Sequence, residues 1–297
     1  MPGISSIRVA TDLSPHSEIA VRRAALVGRD MGVKKGMLVH ALGLGRFGAF
    51  RELFSGGEQL EEELGEHARR EMEALAARVK EETGVEFAVE VRKGSAVDAI
   101  VDVQDRNDLV VTGAKGFNSA GQIALGSTSE RVVRSCENPV LIARNEPAGE
   151  YRKVLVAVDF SAHSRAALLY AKTVAPQAEI HLVHAYPEMP SSGQSFAGIT
   201  SDDVKRYARQ MEEKSDREID SLLTECDMKR ADVGVTMDHA YAPQLIWETA
   251  DSTGADLVVM GKQGHSRLRD WVVGSVTAHV LPRCSSDVMI VRDTRRG

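Results

Sequence analysis

Short, nearly uninterrupted apolar runs alternate along this chain with longer stretches in which apolar side chains return every three or four positions. The runs IRVATD (7–12), GMLVHAL (36–42), EFAVEVR (86–92), DLVVTG (108–113) and PVLIAR (139–144) predict strands covered on both faces, the mark of a parallel sheet between helices. A second set follows in the same order: KVLVAVD (153–159), EIHLVHAY (179–186), ADVGVTMD (231–238), DLVVMG (256–261) and VMIVRD (288–293). Between the strands, Leu60, Leu64, Met72, Leu75, Ala76 and Val79 recur at helical spacing and predict one buried stripe. Val204, Tyr207, Met211, Ile219, Leu222 and Leu223 predict the same in the second set. The expectation is two βαβ-type domains, residues 1–146 and 150–297, joined by the Pro- and Gly-containing segment 145–151. The irregular stretches 43–57 and 187–200 follow the second strand of each half and predict loops of the kind that cover ligands.

The two halves share a motif in register. Gly113, Gly116, Gly126 and Ser127 spell G-x2-G-x9-G-S, and Gly261, Gly264, Gly274 and Ser275 repeat it 148 positions later. Each copy starts where a strand ends, at the carboxyl edge where open α/β sheets bind ligands. Glycine there lets backbone approach a ligand closely, and the helix opened by Gly-Ser offers unpaired N–H groups to an anion, with Ser127 and Ser275 as caps or donors. Turns and caps alone would also use these residue types, so the phosphate-loop and purely structural readings both stand at this level. No Gly-Lys-Ser/Thr follows the glycines, which excludes a Walker A loop, and no GxGxxG follows the first strand of either half, which argues against hydride transfer.

Asp12 and Asp159 end the first strand of each half, where a carboxylate can accept hydrogen bonds from a ribose hydroxyl or an adenine amino group. Ser14 and Ser161 read as helix caps, with Pro15 suited to a first helical turn. His16 and His163 fall in that turn and are expected to be exposed; His40 and His184 lie late in a strand and suit a structural hydrogen bond.

Composition narrows the classes. The chain is 43% hydrophobic and 27% charged, without an apolar run long enough to span a bilayer, and its start lacks a secretory pattern, so a soluble cytoplasmic protein without membrane contact is expected. A net charge of −6, split evenly between the halves, argues against a nucleic-acid partner. Cys136, Cys226 and Cys284 show no metal or disulfide spacing and are expected in the core.

Both halves resemble the universal stress protein (UspA-like) family, whose ATP-binding members carry G-x2-G-x9-G-S/T. The likeness spans nearly the whole chain, including AVDFSAHSRAALLYA, the DLVVMG strand, the loop to GSV and a closing strand. It implies two tandem five-stranded parallel sheets of order 3-2-1-4-5, Rossmann-like and similar to adenine nucleotide alpha hydrolases, with helices on both faces. That order would bring Asp12 beside Gly113 and Asp159 beside Gly261. The resemblance further implies ATP or a related adenine nucleotide as ligand. Asp12 and the backbone near Ala41 would meet the adenine, Gly113 the ribose, and Gly116, Gly126, Ser127 and Thr128 the phosphates. The matching second set is Asp159, Ala185, Gly261, Gly264, Gly274, Ser275 and Val276. Mg²⁺ or Mn²⁺ could accompany the phosphates. Family members pair through their last strands, which here implies an intramolecular pseudo-dimer, with a homodimer also open.

Three functions fit this reading: a nucleotide-dependent switch or interaction module in stress response, a slow metal-dependent ATPase or phosphotransferase, and a protein holding another ligand or none. No evident base is positioned for hydrolysis; Asp12 and Asp159 are the only repeated candidates. The second loop carries Lys262, His265, Arg267 and Arg269, the first only Lys115, so phosphate is expected to bind more tightly in the second half.

Overall fold

The computed structural model describes residues 3–43, 57–103, 105, 108–116, 125–186, 201–264 and 273–293. The first half runs β1 (Ser6–Ala10), α1 (Pro15–Met31), β2 (Lys35–Leu42), α2 (Gly57–Thr83), β3 (Glu86–Lys93), α3 (Ala96–Val101), β4 (Asp108–Gly113), α4 (Ser127–Ser135) and β5 (Val140–Ala143). The second repeats it as β6 (Lys153–Ala157), α5 (Ala162–Val174), β7 (Glu179–Tyr186), α6 (Ser201–Glu225), β8 (Val233–His239), α7 (Ala242–Thr253), β9 (Leu257–Gly261), α8 (Ser275–Val280) and β10 (Asp287–Val291).

The strands form one sheet of order β3-β2-β1-β4-β5-β10-β9-β6-β7-β8. Within each half the order is 3-2-1-4-5 and every pairing is parallel, as in β1 with β4 (Val9 opposite Val111) and β6 with β9 (Val156 opposite Val259). The two expected sheets are thus fused into one, because β5 and β10 pair antiparallel, with Leu141 opposite Met289. Helices α1, α2, α5 and α6 cover one face and α3, α4, α7 and α8 the other, and the apolar core on each face runs without interruption through both halves. Among the described residues no helix is long and apolar enough to cross a membrane.

Local chemistry fixes the helix ends. Ser14 and Ser161 accept from the backbone N–H groups of Ser17 and Ser164, capping α1 and α5 as their sequence suggests. Gly32 ends α1 and Gly254 ends α7 in the left-handed region, at φ 74° and 66°, where glycine avoids the Cβ clash. The apolar stripes expected along the two long helices are buried only in part: Leu60, Val204 and Tyr207 are exposed. Length explains it. Helix α2 has 27 residues, about 40 Å at the α-helical rise, whereas the eight-residue strand β3 spans about 27 Å. Helix α6 overhangs in the same way, and its burial starts at Ser215. The expected lid stretches 43–57 and 187–200 lie, apart from the flanking residues Gly43 and Gly57, outside the described residues.

A single buried carboxylate locks the halves together. Asp287, fully buried at the start of β10, accepts from Tyr151 Oη at 2.7 Å and from the Arg144 N–H at 2.7 Å. Arg23 of α1 pairs with it at 3.0 Å, donates to the Gly149 carbonyl, and lies over the Tyr151 ring. Burial, and next the adjoining carboxylate, push the Tyr151 hydroxyl well above its ordinary pKa, so it stays a donor.

Candidate functional site

Each half builds a cleft at the carboxyl edge of the sheet, between its first and fourth strands, from three short pieces of backbone. The first is the turn after strand one. Asp12 Oδ1 accepts from the N–H and the hydroxyl of Ser14, at 3.1 and 2.5 Å, and Asp159 Oδ1 accepts from the Ser161 N–H at 3.1 Å. The residue after each aspartate takes a left-handed backbone, Leu13 at φ 61° and Phe160 at φ 62°. That conformation is costly for bulky side chains and persists where packing enforces it; both side chains pack onto the core.

The second piece is strand two, whose Ala41 and Ala185 form one wall of each cleft. The histidine beside each ties this strand to the first. Nδ1 of His40 donates to the Thr11 carbonyl at 2.9 Å and Nδ1 of His184 to the Val158 carbonyl at 2.8 Å, the structural role expected from their place in the strand. Burial lowers the pKa of His184 and keeps it neutral.

The third is the glycine loop. A Cβ added to Gly116 would lie 2.8 Å from Asp12 Oδ2, and one on Gly264 would lie 2.5 Å from Asp159 Oδ2. Any larger residue at either place would force the loop or the carboxylate to shift. The glycines whose added Cβ would meet the aspartates are thus Gly116 and Gly264, while Gly113 and Gly261 line the same clefts as Asp12 and Asp159. The latter two glycines press on the first turn of the helix, with an added Cβ 3.2 Å from the His16 carbonyl oxygen and 2.8 Å from His163 Cβ. The loop returns through Gly126, whose N–H donates to the Ala114 carbonyl at 2.7 Å, and through Gly274, which donates to Lys262 at 2.8 Å. Ser129 and Thr277 then anchor the new helix by donating to the carbonyls of Gly113 and Gly261.

Gly126 and Gly274 are the cap residues of α4 and α8, and neither helix start has a side-chain cap. Ser127 and Ser275 do not cap, contrary to one expectation; they stand at the first helical position, exposed, with hydroxyls available as donors. An N-terminus without a side-chain cap offers its N–H groups and partial positive charge to an anion.

Every residue that the family resemblance assigned to the nucleotide lines one of the two clefts. Asp12, Ala41, Gly113, Gly116, Gly126, Ser127 and Thr128 meet in the first, of about 390 Å³. Asp159, Ala185, Gly261, Gly264, Gly274, Ser275 and Val276 meet in the second, of about 270 Å³. Sequence reasoning missed the apolar wall on the opposite side, Ala96 and Ile100 in the first cleft and Ala242 and Ile246 in the second. It also missed the residue before the first glycine of each motif, Thr112 and Met260, although the 148-residue spacing aligns that pair as plainly as the glycines.

Two expectations are corrected. Lys262 does not line the second cleft, where a cation for phosphate was expected. Its ammonium crosses into the first half and donates to the carbonyls of Arg134 and Cys136, both at 2.8 Å, at the C-terminal end of α4. Exposed carbonyls at a helix C-terminus attract a cation, and burial pulls this lysine down to a pKa of about 8. His265, Arg267 and Arg269 lie outside the described residues. His163 is half-buried rather than exposed, because Nδ1 accepts from the Asp293 N–H at 2.8 Å, and burial lowers its pKa. All three cysteines are buried, as expected. Among the described residues no three His, Cys, Asp or Glu side chains converge as a metal site.

The repeated cleft, the strand order and the fused last strands agree with a sequence comparison: the profile of the Universal stress protein family matches residues 3–144 and again 150–292. The chain belongs to the universal stress protein family. A universal stress protein of Mycobacterium tuberculosis is 27% identical, the alignment covering 97% of this chain and 96% of the relative. One from Mycolicibacterium smegmatis is 25% identical over 79% of each chain. Among solved structures, a universal stress protein from Archaeoglobus fulgidus superposes with a TM-score of 0.69 at 22% identity, covering 97% of this chain and 98% of its own. This last likeness concerns the tandem fold.

Proposed function

We propose that this universal stress protein binds an adenine nucleotide, ATP or a close relative, in each cleft, and works as a nucleotide-dependent switch or interaction module in stress response. The observation that carries the reading is the closure of Gly116 onto Asp12 and of Gly264 onto Asp159. Each closure sets a carboxylate suited to ribose or an amino group beside a loop that leads to a helix start without a side-chain cap. Apolar walls on either side suit a flat base. Phosphates would lie against Gly116, Gly126, Ser127 and Thr128, or against Gly264, Gly274, Ser275 and Val276. A divalent ion would take most of its ligands from phosphate and water, since no three protein ligands converge among the described residues.

Binding rather than turnover is the better reading. Hydrolysis needs a group that orients water in line with the leaving phosphate, and one oxygen of each repeated carboxylate is already held by its own turn. Binding to the folded state raises the unfolding free energy by about 2.7 kcal/mol when ligand stands at 100 times Kd. The expected result is a rise in Tm with ATP, with native mass spectrometry reporting up to two nucleotides per chain. An unchanged Tm at millimolar ATP, with no retained nucleotide, overturns the proposal. Metal-dependent phosphate release abolished by Asp159→Ala would favour the ATPase reading instead.

A further inference from the structure

The first cleft holds a buried hydroxyl that no described residue satisfies. Thr112 is 2% exposed, lines the cleft, and its Oγ1 has no hydrogen-bond partner among the described residues. Unsatisfied buried hydroxyls are uncommon, and each one needs a reason. Packing supplies none here. The equivalent position in the second cleft is Met260, equally buried, and the small and apolar part of the wall is shared: Ala10, Ala96 and Ile100 in one half answer to Ala157, Ala242 and Ile246 in the other. Met260 shows that an apolar side chain serves that place in the fold, and the buried hydroxyl without a partner belongs to one half.

The two side chains differ in what they offer a ligand. A threonine hydroxyl both donates and accepts, whereas a thioether is only a weak acceptor. A base with an amino group on its edge finds an acceptor in either cleft. A base with a carbonyl there finds a donor only beside Thr112; against Met260 that oxygen loses its water without replacement, which is how buried sites reject a ligand.

We propose that Thr112 sets the base preference of the first cleft, so that it takes 6-oxopurine as well as 6-aminopurine nucleotides, while Met260 restricts the second cleft to adenine. This deepens the nucleotide-binding reading and rests on it. The two halves of the chain then report on different nucleotides.

The test is calorimetric titration of the full-length protein with ATP and with ITP, which differ at the purine 6-position. Gly264→Leu silences the second cleft so that the first is read alone, and Gly116→Leu does the converse. In the first cleft ITP is expected within about tenfold of ATP, and Thr112→Val to weaken ITP by about tenfold or more, about 1.4 kcal/mol, with ATP affected less. In the second cleft ATP is expected to be favoured by more than about tenfold, and Met260→Thr to narrow that gap. Thr112→Val removes a hydroxyl that has no partner among the described residues, so its Tm without ligand is expected to hold or rise. An ITP-to-ATP ratio that Thr112→Val leaves unchanged while ATP still binds overturns the assignment of Thr112 alone. Failure of both nucleotides in both clefts overturns the nucleotide reading and this inference with it.

Discussion

The two clefts have the same backbone and different side chains. Both close a glycine loop on an aspartate, hold the next residue in a left-handed turn, and fix strand two by a histidine donating to strand one. Yet Thr112 stands opposite Met260, Lys115 opposite Gln263, and Thr128 opposite Val276, so polar groups gather in the first half. Duplication has kept the backbone of the cleft in both copies and let several of its lining side chains diverge. The halves are also unequal where they meet. Lys262 reaches into the first half from a position that Ala114 occupies in the other copy, and Asp287 answers to Pro139.

The largest expected effect lies at that junction. Asp287→Ala leaves the Arg23 guanidinium buried without its carboxylate and strips acceptors from Tyr151 and Arg144. Breaking a buried pair by removing one partner costs about 3–5 kcal/mol. Substitution at the pseudo-symmetric position, Pro139→Ala, is expected to cost about 1 kcal/mol, an ordinary single-site effect. Urea unfolding of both variants checks the contrast, and equal losses would mean that the junction draws nothing particular from Asp287.

The next effect separates the clefts as binding sites. Leucine at position 264 places a Cβ 2.5 Å from Asp159 Oδ2, and leucine at 116 places one 2.8 Å from Asp12 Oδ2. Each substitution is expected to weaken nucleotide binding in its own half by about 100-fold or more, about 2.7 kcal/mol, and to leave the other half near wild type. Stoichiometry by calorimetry reads this directly: one site lost in each single variant. Loss of both sites from either change would show that the clefts act as one.

Much of this was legible in the sequence, for a physical reason. Strands buried on both faces must be apolar almost throughout, so β4, β5, β9 and β10 stood out as near-continuous runs, and a duplicated loop displays its glycines twice in register. Side-chain direction was not legible. Lys262 lies two residues from Gly264, and from spacing alone it belongs with the phosphate loop. Its ammonium goes instead to the end of α4 in the other half, a contact that exists only because β5 and β10 pair. Val204 and Tyr207 continue a helical stripe that sequence has no means of ending, since what ends its burial is the shorter strand beneath. Thr112 escaped notice because a threonine in a strand is unremarkable until its hydroxyl proves to be without a partner among the described residues.

A smaller effect follows from Lys262. Its folded pKa of about 8 lies below the ordinary 10.5. Between those values the unfolded chain holds a proton that the folded one has released, so stability rises with pH across that window and falls as pH drops through about 8. The difference in unfolding free energy between wild type and Lys262→Met, followed from pH 7 to 10.5, is expected to grow in favour of wild type. Groups that titrate alike in both proteins cancel from that difference. A flat difference would mean that the ammonium is better solvated than its two carbonyl partners and its burial imply.

The smallest expected effect decides which cleft holds phosphate more firmly. With Lys262 turned away, the described side chains that separate the phosphate ends are Lys115 and Thr128 against Gln263 and Val276. A partly exposed cation contributes about 0.2–1 kcal/mol to such a contact, and salt screens it over a Debye length of about 8 Å at physiological ionic strength. Lys115→Ala is therefore expected to weaken ATP in the first cleft by about two- to fivefold in low salt and by less at 0.5 M. Gln263→Ala is expected to change little at either. The sharper variant is Gln263→Lys, which grafts the charge onto the second cleft and should give it the salt dependence of the first. If the second cleft already binds ATP more tightly and with the steeper salt dependence, its phosphate is being held by cations further along that loop, and the order of the two halves is reversed.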